Sequence, residues 1–170
     1  MWKALCLSIV LMGLARPALS QASSDVTTQV VGLFIATCVR FAGDPKSVRT
    51  FMSEHHVPEL NPQGRAIFLR DHVGIGFDAS NRVTRLALVS EDNGVCSAFA
   101  GQADRSRIGP LLESVAKRQG FALSPIGGNA HEAASSSSYQ VKIKDHLYKL
   151  IVSSNSVVGA SVQAAITLAP

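Results

Sequence analysis

Two cysteines stand in the same short phrase, Cys-x-x-Phe-Ala-Gly, once as Cys38-Val39-Arg40-Phe41-Ala42-Gly43 and again as Cys96-Ser97-Ala98-Phe99-Ala100-Gly101. If they pair, any fold open to the chain must bring positions 38 and 96 within reach of one covalent bridge. That bridge closes a loop of roughly 58 residues and restricts the unfolded chain by about 4 kcal/mol. Two separate buried thiols, packing as small apolar residues, are the alternative. Each phrase leads into a helical spacing: Val48, Phe51, Met52 and His55 after the first, Ile108, Leu111, Leu112 and Val115 after the second. The pattern fits a duplicated helix-plus-three-strand unit, with chance repetition of a short phrase as the competing explanation.

Whether the sulfurs can pair depends on the compartment, and the start of the chain speaks to that. Met1-Trp2-Lys3 is a short basic opening, and the run from Ala4 to Ala15 is uncharged and rich in Leu, Ile, Val and Ala. At roughly 12 residues before Arg16-Pro17 it falls short of the roughly 20 that a membrane-spanning helix needs. Small residues at Ala18, Ser20 and Ala22 then fit a cleavage site. The segment 1–22 therefore reads as a signal peptide and 23–170 as a single soluble α+β domain, periplasmic or secreted, where thiols are commonly oxidised. A buried N-terminal helix is the alternative. Cys6 lies inside the apolar run and not after it, which argues against a lipid anchor.

Removing the leader takes away Lys3 and Arg16, so sixteen basic side chains become fourteen against twelve acidic ones, a balance of +2. Arg65, Arg70, Arg82, Arg85, Lys142, Lys144 and Lys149 are scattered among strand-like residues without interleaved aromatics, so the charge does not point to nucleic acid. No later run has the length and hydropathy of a membrane span; Gly159, Ser161, Gln163 and Thr167 interrupt the apolar C-terminal stretch.

Apolar residues at Val30, Leu33, Phe34, Thr37, Cys38 and Phe41 share one helical stripe, with Ser24 or Asp25 to cap it. Asp44-Pro45 opens a second helix to about His55. Pro58 and Pro62 predict a loop over residues 57–64, and Ala66 to Leu69, Gly74 to Asp78 and Thr84 to Val89 predict strands. Asn93-Gly94 predicts a tight hairpin with two positive φ values, joining the last of these to Val95 to Ala100. Asp104 caps a helix carrying Ile108, Leu111, Leu112, Val115 and Ala116 that stops at Gly120. Phe121 to Ser124 predicts a short strand, and Gly127 to Ser138, without periodicity, a mobile loop. The alternation through Tyr139, Val141 and Ile143 predicts a strand over 138–145, with further strands at 147–153 and 161–168. The expected fold class is α+β: an antiparallel sheet of about five to seven strands with two or three helices packed on one face.

Few residues invite chemistry. Glu54-His55-His56 with Glu59 is the densest ligand-like cluster, but adjacent histidines on a helix point about 100° apart and cannot share one ion. Asp71-His72 could orient an imidazole, yet no serine stands in a nucleophile elbow. Gly74-Ile75-Gly76 lacks the third glycine and following helix of a dinucleotide loop and reads as sheet packing or a bulge. Ser135 to Ser138 and the neighbouring His131-Glu132 have the composition of a loop tip. No catalytic, cofactor or metal residue is assigned; Cys38 and Cys96 are the one site expected, as a disulfide.

The strings Thr37-Cys38-Val39, Gly43-Asp44-Pro45, Val48-Arg49, Pro58-Glu59-Leu60, Asp78-Ala79-Ser80 and Cys96-Ser97-Ala98-Phe99-Ala100 resemble a family of uncharacterised exported bacterial proteins, over roughly residues 30–120. The chain departs from the family at Gly94-Val95, where members often carry Gly-Gly. The resemblance implies export and the paired cysteines, and it implies no activity. The expected function is a non-enzymatic binding or interaction module of the cell envelope, contacting an envelope protein or a small ligand through its sheet face or loops. The competing expectation is a small hydrolase whose acid and base come from Asp71, His72, Asp78 or His131, brought together only by folding.

Overall fold

The computed structural model describes residues 25–130, 134–155 and 162–170, so the leader, His131-Glu132 and residues 156–161 lie outside the described residues. Each early helix starts where a side chain takes over the amide hydrogens that the first turn leaves free. Asp25 accepts from Thr28 N at 2.9 Å and opens α1 (Val26–Phe34), which continues as a π-helical segment, Ile35–Val39. Asp44 accepts from Ser47 N at 3.1 Å, and Pro45, whose missing N–H costs nothing there, begins α2 (Pro45–Glu54). Asp104 caps α4 (Arg105–Gln119), which ends on Gly120 at φ 79°.

These acidic caps carry a pH dependence. The Ser47 hydroxyl and amide hold the Asp44 carboxyl below its ordinary value of 3.8, the Ser106 hydroxyl does the same for Asp104, and the Thr28 amide for Asp25. A depressed folded-state pKa contributes stability that is present above the unfolded value and lost as pH falls through the folded one. The urea midpoint is therefore expected to fall from about pH 4 downward. Replacing all three residues by Asn, which caps without titrating, is expected to flatten that slope.

The sheet is seven-stranded and wholly antiparallel, in the order β1-β2-β3-β7-β6-β5-β4, with β1 Gly74–Asp78, β2 Leu86–Glu91, β3 Cys96–Ala100, β4 Leu123–Ala130, β5 Ala134–Ile143, β6 His146–Asn155 and β7 Ala164–Ala169. Alternation along the strands sorts side chains between two faces. Phe77, Leu88, Ala98, Ile166 and Leu150 point to one face and are buried beneath α1, its π-helical segment, α2 and α4, with Phe34, Val48, Met52, Ile108 and Leu112 opposite them. The expected α+β class, with three helices on one face, is what the chain adopts.

Cys38, in the π-helical segment, is bonded to Cys96 at the start of β3, with Cα atoms 5.4 Å apart. The bridge ties the helical layer to the middle of the sheet. The shared phrase is helical at its first occurrence and extended at its second, so the repeated letters do not mark equivalent places in a duplicated unit. Three strands follow the first set of helices and four follow α4.

Several local expectations need correction. Residues 66–68 are not a strand: Asn61 accepts from Gly64 N at 2.8 Å and starts a seven-residue helix, α3 (Pro62–Phe68), with Pro62 in the first turn, where it is tolerated. The Gly- and Ser-rich stretch read as a loop is mostly strand, β4 and β5, because ladder bonds come from the backbone whatever the side chains. The Ser135 and Ser154 hydroxyls meet across β5 and β6 at 2.7 Å. At 91–95 the hairpin exists, but only Gly94 has positive φ, 90°. Gly94 N donates to Glu91 O at 3.1 Å and Glu91 N to Val95 O at 2.8 Å, a type I turn closed by a left-handed glycine.

The two-residue turn with both φ values positive lies instead between β5 and β6, at Lys144 (49°) and Asp145 (68°), where Ile143 pairs with His146. Non-glycine residues pay for that conformation. Replacing Lys144-Asp145 by Asn-Gly is expected to stabilise the fold by about 1 kcal/mol, read as a melting temperature higher by about 3 °C.

Candidate functional site

The second face of the sheet carries Gly76, Ala87, Val89, Ser97, Phe99, Ala165 and Thr167, and α3 covers only part of it. Residues 58–60 run along the outer edge of β1: Asp78 N donates to Pro58 O and Leu60 N to Gly76 O, both at 2.8 Å. Leu60 thereby comes to lie over Gly76, where a Cβ would stand 2.5 Å from its Cδ1. This is why a glycine sits there, and it settles Gly74-Ile75-Gly76 as strand and not a phosphate loop. The chain then turns into α3, and Phe68 at the end of that helix packs on Phe99 of β3, ring centroids 5.0 Å apart and planes at 51°. Apart from Phe68 and the following Leu69, which is buried, little of this helix is anchored.

Cavities open on both sides of that aromatic contact and share Phe68, Phe99 and Val162. One, about 190 Å³, is lined also by Leu60, Ala87, Asp78, Ser80 and Arg85; the other, about 480 Å³, by Ile67, Arg70, His72, Glu91 and Asn155. The cleft is thus apolar in its middle and polar at both ends. At the first end Asp78 accepts from Ser80 N at 3.1 Å, and the Ser80 hydroxyl donates to Leu86 O and accepts from Leu86 N, which fixes it to the backbone. Arg85 is exposed and takes part in no ion pair among the described residues. At the other end His72 Nδ1 lies 3.0 Å from Glu91 Oε2, with the imidazole largely exposed and the carboxylate largely covered.

Of the dispersed acid and base residues, His72 and Asp78 therefore fall in separate cavities, parted by the Phe68–Phe99 contact. His72 is partnered by Glu91 and not by Asp71, and His131 lies outside the described residues. His55 and His56 finish α2: the His55 ring stacks on Phe51 at 4.1 Å and His56 turns to φ 54°. Among the described residues no group of three His, Cys, Asp or Glu side chains is placed to hold a metal ion, and no helix is long and apolar enough to cross a membrane.

The cleft residues Phe68, Phe99 and Arg85 were not singled out from the sequence as a site. The one available signal was the strand phase: in Ala98-Phe99-Ala100 the bulky ring alternates with two small residues that face the helices, so it has to stand on the other face. Compared with known proteins, the chain matches no family model, no curated protein and no solved structure.

Proposed function

We propose that the chain is an exported, non-enzymatic binding domain of the cell envelope that holds a small ligand across the cleft beneath α3. The observation that carries the reading is the Phe68–Phe99 contact with an open cavity on each side. A site of this composition suits a ligand with a flat or apolar body over Phe99 and polar groups reaching Arg85 at one end or Arg70 and His72 at the other. The Cys38–Cys96 cystine and the leader-like start of the chain support export. A hydrolytic reading has weaker support, because the hydroxyl nearest the cleft, that of Ser80, has its hydrogen bonds taken up by Leu86.

Amide-shift mapping by NMR tests the proposal, with small aromatic carboxylates as probes. Saturable shifts are expected at residues 68, 85, 99 and 162, with affinity at least about tenfold weaker in Phe99→Ala, as for loss of a buried aromatic anchor. Arg85→Gln, a surface change that leaves the fold alone, is expected to weaken the carboxylates but not their neutral amides. Shifts that avoid the cleft, or affinities indifferent to both substitutions, would overturn the proposal.

A further inference from the structure

On the opposite side of the molecule the helical layer has its own opening. α1 with its π-helical segment and α4 run parallel: the Asp104 amide donates to the Thr27 hydroxyl at 2.9 Å and Arg107 pairs with Asp25 at 2.8 Å, so the two helix starts are tied together. Between the helices lies a groove of about 520 Å³, within the roughly 300–1,000 Å³ of small-molecule sites. Its floor is Val31 and Ile35 from one helix and Leu111 and Val115 from the other. Gly32 leaves it open, since a Cβ there would meet nothing within 4 Å. From Thr28 to Arg40 the slot runs roughly 18 Å along the helix.

Its two ends differ. The end at the helix starts is bridged and charge-neutral, through the Arg107–Asp25 pair. The other end is lined by Arg40 and Arg118, and among the described residues no carboxylate lines the groove. Two helix C-termini contribute about half a negative charge each, which leaves an excess of about one positive charge beside the two guanidiniums. Neither arginine makes an ion pair among the described residues, and Arg40 is held in place over the Phe41 and Phe51 rings, at 5.0 and 5.4 Å. A slot with one closed, neutral end, an apolar floor and one cationic mouth matches a ligand with an apolar tail and one anionic head. A peptide helix would bring polar backbone to both ends.

We infer that the groove between α1 and α4 binds a long-chain fatty acid, its carboxylate on Arg40 and Arg118 and its chain along the apolar floor. The site is independent of the cleft beneath α3. Titrating the protein with hexadecanoate, below the concentration at which it forms micelles, is expected to shift the amides of residues 32, 35, 111 and 115. A buried methylene is worth up to about fourfold in affinity, so dodecanoate is expected to bind at least about tenfold more weakly. Changing the exposed Arg40 and Arg118 together to Glu is expected to weaken hexadecanoate by about tenfold to a hundredfold, while Phe99→Ala leaves it unchanged. Gly32→Leu, which adds a better helix former on the open side, is expected to block the slot without lowering the melting temperature. Hexadecanol binding as tightly as the acid, shifts confined to the α3 cleft, affinity surviving both groove variants, or an acidic amphipathic peptide binding where hexadecanoate does not would each overturn the inference.

Discussion

Reducing the Cys38–Cys96 bond is expected to lower the unfolding free energy by about 4 kcal/mol, a large part of the roughly 5–15 kcal/mol that holds a domain of this kind together. The bond closes a 58-residue loop that contains α2, α3, β1 and β2, so most of the effect is released chain entropy in the unfolded state. Both sulfurs lie in the core, so the reduced chain is expected to keep the same packing around two buried thiols. Its native circular-dichroism spectrum should therefore persist in the absence of denaturant, while the urea midpoint drops sharply. A midpoint unchanged by reduction would mean that the reduced unfolded chain is already restricted, or that the bridge is strained by about as much as it constrains.

Phe34→Ala is expected to cost about 4 kcal/mol. Phe34 ends the α-helical part of α1, is wholly inaccessible to solvent, and belongs to the cluster formed with Leu88, Ala98 and Ile166 of the sheet. Removing the ring loses its transfer free energy and leaves a void where helix and sheet are both held, α1 by the cystine at Cys38 and β3 by its two neighbouring strands. A urea titration should show a lower midpoint at unchanged slope, the mark of lost stability and not of a more compact unfolded state. Combined with reduction of the cystine, the substitution is expected to leave the chain largely unfolded, since the two losses together amount to a large share of the roughly 5–15 kcal/mol that holds such a domain together.

The parts of this fold that could be read from the sequence are those fixed by short-range chemistry. Asp25, Asp44 and Asp104 announce helix starts because a cap is satisfied within three residues, and Gly120 announces a stop because the left-handed conformation is needed on the spot. The strand at Val141 shows through alternation, since one of its faces is buried under helices, while those at Ile75 and Leu88 show as short apolar runs between turn formers, the second of them buried on both faces. Where the outcome depends on partners distant along the chain, the signal fades. Residues 124–130 and 134–138 have almost no apolar content, yet a neighbouring strand is enough to order them, because the ladder is made of backbone groups. Pro62 reads as a breaker, although the first turn of a helix is where its ring fits; the cap at Asn61 was the clue that decides between the two.

The candidate cleft was harder still, because it exists only once α3 folds over the sheet and sets Phe68 on Phe99. Nothing local to either phenylalanine distinguishes it from a core residue. Arg70 and Arg85 look like an ordinary solvated surface, and His72 stands out only beside Asp71, until the fold places Arg85 at one end of the opening and Arg70 and His72 at the other. The groove between α1 and α4 was hidden for the opposite reason. Leu111 and Val115 fall on a stripe that reads as core, and Val31 and Ile35 lie just beside the stripe of Val30, Phe34 and Cys38, yet all four line the space between the helices.

Export, oxidation and ligand binding meet in a single measurement: native mass spectrometry of the protein recovered intact from the cell envelope. The chain is expected to begin at Gln21 or Ser23, to be lighter by two hydrogens than its reduced form, and to carry, apart from any fatty acid between α1 and α4, a small-molecule adduct that is lost from Phe99→Ala. A chain that still starts at Met1, takes up alkylating agent at both Cys38 and Cys96 before reduction, and carries no adduct would contradict this expectation.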